Sequence, residues 1–173
     1  MSNEQQKSIF DCLYEKIVSK NQSFEWELMV DGASRGNPGK SGAGIYLKKN
    51  GKDFLKTGFF LGHKTNNEAE YLALLIGILF FKKEMQVNEG VIIISDSQLL
   101  IRQLEGAYRV KKKELQHMHK VIFIELEAIV CSFKHVEREY NTVADLLANQ
   151  GIDKQKTLPL KILDTLKKHE IFL

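Results

Sequence analysis

The run from Tyr71 to Phe81 is apolar at every position, within a stretch (residues 66–84) that reads as one long helix. A helix apolar all round has no face for water, so it must be covered on most sides. A central helix packed on a sheet satisfies that demand. The run is about half the length of the roughly 20 residues needed to span a bilayer, so a membrane-crossing segment is not expected.

Strands for such a sheet are legible on both sides of the helix. Three strand-like runs precede it, at residues 24–30, 42–48 and 53–61. Asn50-Gly51 between the last two is a strong hairpin signal and predicts antiparallel neighbours. The first run should stop at Asp31-Gly32, because both residue types disfavour strands; a loop with Gly36, Pro38 and Gly39 follows. Residues 91–94 form a β-branched run suited to a strand covered on both faces. Ser95-Asp96-Ser97 then caps a helix to about Leu104. A helix over 111–129, a strand over 131–136 and a helix over 141–149 complete the pattern. Pro159 suits the start of a last amphipathic helix. The fold class is therefore α/β, a mixed sheet with helices on its faces. Ligands gather beyond the carboxyl ends of parallel strands in such sheets, and Asp31 and Asp96 both stand at such ends.

The termini add less. Phe10, Leu13, Tyr14 and Ile17 have helical spacing within residues 4–19, which predicts a short amphipathic helix docked on the domain. A net charge of +3 over 173 residues permits a nucleic-acid partner without demanding one. Cys12 and Cys131 lack metal-ligand spacing, which suits a reduced compartment. The N-terminus has no signal-peptide pattern, so a cytoplasmic protein is expected. Gly39-Lys40-Ser41 mimics a phosphate-binding loop, but Ser34 stands where that motif needs glycine and a strand follows instead of a helix. No nucleotide cofactor is expected. The glycines are expected to let backbone amides approach a substrate.

Candidate chemistry lies in acids. Asp31 has the alternative role of a turn residue, Asp96 of a helix cap, and Asp145 of a partner for a helix dipole. Thr65 and Glu68 form a capping box, so Glu68 already has a structural role. Glu70 has none; it shares a helix face with Ala73 and Gly77 that allows close packing on the sheet. A carboxylate among apolar neighbours wants a cation or strong donors. Four acids at one sheet edge would repel without a dication, and oxygen donors without thiols or clustered imidazoles select Mg2+ or Mn2+. The histidines are scattered, and no nucleophilic triad competes.

Four stretches, DGASRGNPGKSGAG, TNNEAEYLALL, ISDSQLLIRQL and VEREYNTVADLLAN, occur in an order and spacing that resemble the type 1 ribonuclease H family over roughly residues 24–151. The resemblance implies an RNase H-like fold, a five-stranded mixed sheet with helices on both faces. Residues 1–23 and 152–173 would then be helical extensions. It implies hydrolysis of the RNA strand of RNA–DNA hybrids to 5′-phosphate and 3′-hydroxyl ends. Asp31, Glu70, Asp96 and Asp145 would be the catalytic and metal-binding acids, holding two ions when substrate is bound. Ser34, Asn37, Asn66, Asn67 and Gln98 would meet the hybrid's minor groove, where amides sense 2′-hydroxyls. Thr65 would contact a DNA phosphate. Arg109 and Lys111 to Lys113 resemble a reduced version of a basic protrusion found in some members. His135 falls at the distance of a product-release histidine, and Glu139 would influence a second metal or pair with Arg138. A monomer is expected. The alternatives are a non-cleaving hybrid-binding or RNA-binding module of the same fold, a protein-interaction domain, and a nuclease for another duplex such as double-stranded RNA.

Overall fold

The computed structural model describes residues 24–173, so the helix expected over 4–19 lies outside the described residues. Strands β1 (Trp26–Gly36), β2 (Gly39–Lys49) and β3 (Lys52–Lys64) form an antiparallel meander. Helix α1 (Asn66–Glu84) leads to β4 (Val91–Ser95) and α2 (Gln98–Leu104). Helix α3 (Lys113–Glu125), β5 (Cys131–His135), α4 (Thr142–Lys154) and α5 (Leu160–Lys168) follow. The sheet order is β3-β2-β1-β4-β5, with β4 parallel to both β1 and β5. This is the mixed five-stranded sheet expected for an RNase H-like fold. Among the described residues no helix is long and apolar enough to cross a membrane.

Local chemistry explains the meander. Asn50 and Gly51 both take positive φ, 51° and 72°, as the tight hairpin turn between β2 and β3 requires. The end expected for the first strand at Asp31 is corrected: β1 continues to Gly36 and pairs with β2 throughout, Asp31 opposite Gly44. Cross-strand hydrogen bonds there outweigh the weak strand propensity of Asp and Gly. The parallel partnership with β4 does stop short, at Met29 opposite Ile94. Asp31 therefore lies just beyond the parallel region although it sits inside a strand.

Helices cover both faces. On one, α1 buries Ala69 to Leu79 and Phe81, with Gly77 against Leu28 and Val30 of β1. Leu115, Met118, Val121 and Ile122 of α3 and Ile162 and Leu166 of α5 join the same core. On the other face α4 lies almost in contact with the sheet backbone. A Cβ at Gly44 would stand 1.9 Å from the Ala144 carbonyl oxygen, and one at Gly58 1.9 Å from that of Leu147. Gly42 and Gly44 of GKSGAG thus serve close packing against α4. Helix α4 also runs to Lys154, past the end expected for it at residue 149.

This close approach generates a prediction. Gly44→Val should destabilise the fold by about 3 kcal/mol or more, since its side chain meets helix backbone that has no rotamer to yield. Urea denaturation measures it; a change under ~1 kcal/mol would contradict the packing.

Candidate active site

Four elements bring acids to one end of the sheet. Asp31 is buried on β1, and Glu70 is buried on the second turn of α1. Glu70 arrives there because α1 crosses β1 at Gly32, where a Cβ would lie 2.1 Å from the Glu70 amide nitrogen. Asp96 follows the last residue of β4 and is half-buried. Asp145 sits in the first turn of α4, its amide donating to the Asn141 carbonyl at 3.1 Å.

These carboxylates feel one another. Burial pushes the Asp31 carboxyl up to about 7, with further repulsion from Asp96 and Asp145; a hydrogen bond from the Gly32 amide and the charge of Arg138 oppose it. Glu70 is also raised well above its ordinary value, first by burial and then by Asp31 and Asp96. Its Oε2 is buried with no hydrogen-bond partner. The guanidinium of Arg138 donates from Nη2 to Asp145 Oδ1 at 2.9 Å and also feels Asp31 and Asp96. The acids thus share one electrostatic site. As their side chains stand, no group of three or more His, Cys, Asp or Glu among the described residues is placed to hold a metal ion. An all-oxygen donor set with an unpartnered buried carboxylate oxygen nevertheless fits a hard dication.

Glu68 has the capping role expected of it: Thr65 Oγ1 accepts from its amide and its carboxylate accepts from the Thr65 amide at 2.8 Å. Burial would raise its pKa, but these bonds with Thr65 and the charges of Lys64 and Lys112 leave it lowered.

The expected substrate contacts fall in two groups. Asn37 Oδ1 accepts from the Asn66 amide at 3.0 Å, which ties the β1–β2 turn to Thr65, Asn66 and Asn67. Ser34 Oγ donates to the Lys64 carbonyl at 2.8 Å, which holds it at the same corner. Gln98 belongs to a separate edge, exposed at the opening of α2 and two residues beyond Asp96. His135 ends β5, exposed, with Nε2 3.2 Å from the Asp96 carbonyl oxygen. Glu139 is exposed in the 3-10 turn Arg138–Tyr140, and Arg138 pairs with Asp145.

Asn141 was visible in sequence only as the start of a helix. It is 1 % exposed, and its Nδ2 donates to Val30 O at 2.9 Å and Asp96 Oδ1 at 2.7 Å. The role of Arg138 was equally hidden, because the pairing joins residues seven positions apart across a helix boundary.

The family described as reverse transcriptase-like matches residues 29–151. Ribonuclease HI of Halobacterium salinarum is 33% identical over 146 residues, covering 79% of this chain and 69% of that protein. The chain belongs to the type 1 ribonuclease H family. LC11-RNase H1, solved in complex with an RNA/DNA hybrid, is 32% identical with a TM-score of 0.71, covering 75% of this chain and 97% of that one. The bifunctional protein Rv2228c of Mycobacterium tuberculosis is 31% identical over 131 residues, or 72% of this chain. The chain spans only about a third (34%) of the length of Rv2228c and of two further mycobacterial relatives. The ribonuclease H resemblance carried by the four motifs is thus borne out in sequence and in fold.

The raised Asp31 carboxyl fixes the sign of a stability effect. Folded Asp31 keeps its proton up to about pH 7, whereas the ordinary value is 3.8. The folded state therefore binds more protons between these limits, and stability falls as pH rises through them. In chelator, Asp31→Asn should be more stable than wild type at pH 8, and the gain should vanish towards pH 4. Thermal denaturation across that range measures it; an equal difference at both ends would contradict the burial of charge.

Proposed function

We propose that this type 1 ribonuclease H chain is a metal-dependent endonuclease that hydrolyses the RNA strand of RNA–DNA hybrids, leaving 5′-phosphate and 3′-hydroxyl ends. The observation that carries the reading is the buried, unpartnered Glu70 Oε2 beside the protonation-prone Asp31. A site that only binds nucleic acid gains nothing by burying like charges opposite phosphates, whereas a cation-binding site needs them.

Asp31, Glu70, Asp96 and Asp145 would hold the ions. When bound, two Mg2+ or Mn2+ ions would supply the Lewis acidity that in-line displacement at phosphorus needs. The remaining work falls to the chain. Asn37, Asn66 and Asn67 form one corner whose amides suit a shallow groove carrying 2′-hydroxyls. Thr65, fixed beside them by its capping box with Glu68, would be the contact to a backbone phosphate. Ser34 stiffens the same corner, and Gln98 approaches the groove from the α2 side. Arg138 neutralises part of the acidic charge that would otherwise repel the incoming strand. Lys112, whose charge reaches Glu68, would extend positive charge towards the substrate, with Lys111 and Lys113 beside it in the chain.

The direct test incubates a labelled hybrid with Mg2+, with and without chelator. Wild type should cleave only with the metal, and Asp31→Asn or Asp96→Asn should lower the rate by ~100-fold or more while the fold is retained. Near-normal turnover by either variant would contradict the assignment. Retention of the hybrid without cleavage by wild type would favour a binding module instead.

The lysines make a separate prediction. Replacing Lys111, Lys112 and Lys113 with Ala should flatten the dependence of log affinity on log salt by roughly 0.9 for each phosphate no longer neutralised. An unchanged slope in filter binding would remove the three lysines from the interface.

A further inference from the structure

Asn141 makes an unusual choice of partners for a residue at a helix boundary. Asn is a favoured N-cap, yet its side chain makes no capping bond to α4. Across from it, the N-cap of α2 is Ser97, whose Oγ accepts from the Leu100 amide at 3.3 Å. The Asp96 carboxylate is thereby left free of helix capping. Two side chains that could have served two helix ends are instead bonded to each other, Asn141 Nδ2 to Asp96 Oδ1 at 2.7 Å.

The second bond fixes the first. Asn141 Nδ2 also donates to the Val30 carbonyl at 2.9 Å, just beyond the last β1–β4 pair at Met29 and Ile94. A carboxamide has two donor hydrogens, and both are consumed. Turning the amide over would set Oδ1 against the carbonyl oxygen of Val30, so the orientation is determined. The orientation leaves Oδ1 buried without a partner, an energetic cost that a purely structural asparagine would avoid. Backbone geometry does the rest: the Asn141 carbonyl accepts from the Asp145 amide at 3.1 Å. One residue thus links the elements carrying Asp31, Asp96 and Asp145.

We infer that Asn141 is a positioning residue that clamps the Asp96 carboxylate to β1, and that the cation affinity of the site depends on this amide. The inference rests on the nuclease reading above. Asn141 acts through Asp96, the one acid its side chain bonds. Without it the Asp96 side chain regains rotamers that turn it away from Asp31 and Glu70, and each cation bound must order it again.

The experiment compares the wild-type 173-residue chain with Asn141→Ala and Asn141→Ser. Mg2+ binding is measured by calorimetry, the Mg2+ dependence of hybrid cleavage by rate, and the midpoint of thermal unfolding in chelator. The variants should bind Mg2+ about 10- to 100-fold more weakly. The Mg2+ concentration for half-maximal cleavage should rise by a similar factor, and excess Mg2+ should recover most of the rate. Serine keeps one donor, so its shift should be the smaller; it also carries the test if the alanine variant does not fold. A variant with a lower unfolding midpoint but Mg2+ affinity within twofold of wild type would overturn the inference, leaving Asn141 a structural residue. Wild type that cleaves no hybrid yet loses Mg2+ affinity on substitution would overturn the nuclease reading alone. Wild type that binds no Mg2+ would overturn both.

Discussion

The architecture turns on backbone meeting backbone without a side chain between. At Gly32 helix α1 crosses β1 so closely that a Cβ would overlap the Glu70 amide, and at Gly44 helix α4 reaches the sheet in the same way. These contacts bring Glu70 and Asp145 in from opposite faces to Asp31 and Asp96, just beyond the end of the parallel β1–β4 pairing. Any spacer would move the acids apart. The same contacts exclude water from Asp31 and Glu70, which is why burial leads the causes of their raised pKa values.

That burial works against folding, since like charges are gathered where solvent cannot screen them. The apolar mass around α1 offsets it. Tyr71 to Leu79 and Phe81 are buried, and α3 and α5 close over the face that the sheet leaves open. Arg138 supplies charge compensation from the 3-10 turn ahead of α4. The site is thus held in a state poorer in positive charge than its geometry favours. A cation would relieve that imbalance in the proposed enzyme.

Much of this was legible in the chain itself. The apolar run of α1, the Asn50-Gly51 turn and the VIII run of β4 each carry a strong local signal, and together they determine the order of elements. Glu70 could be separated from Glu68 because the capping box of Thr65 already accounts for Glu68. What sequence could not yield depended on contacts between distant segments. The extension of β1 past Asp31 comes from pairing with β2, which local propensity does not register. The packing role of Gly42 and Gly44 appears only when α4 is in place. Asn141 looked like a helix boundary because its partners, Val30 and Asp96, lie far away in the chain.

The central claim is that the four acids form a two-cation site. Crystals soaked in Mn2+ with an uncleavable hybrid would test it by anomalous scattering. The account predicts two peaks roughly 4 Å apart, both in contact with carboxylate oxygens from the set Asp31, Glu70, Asp96 and Asp145. Saturating Mn2+ with no anomalous peak among these side chains would contradict it.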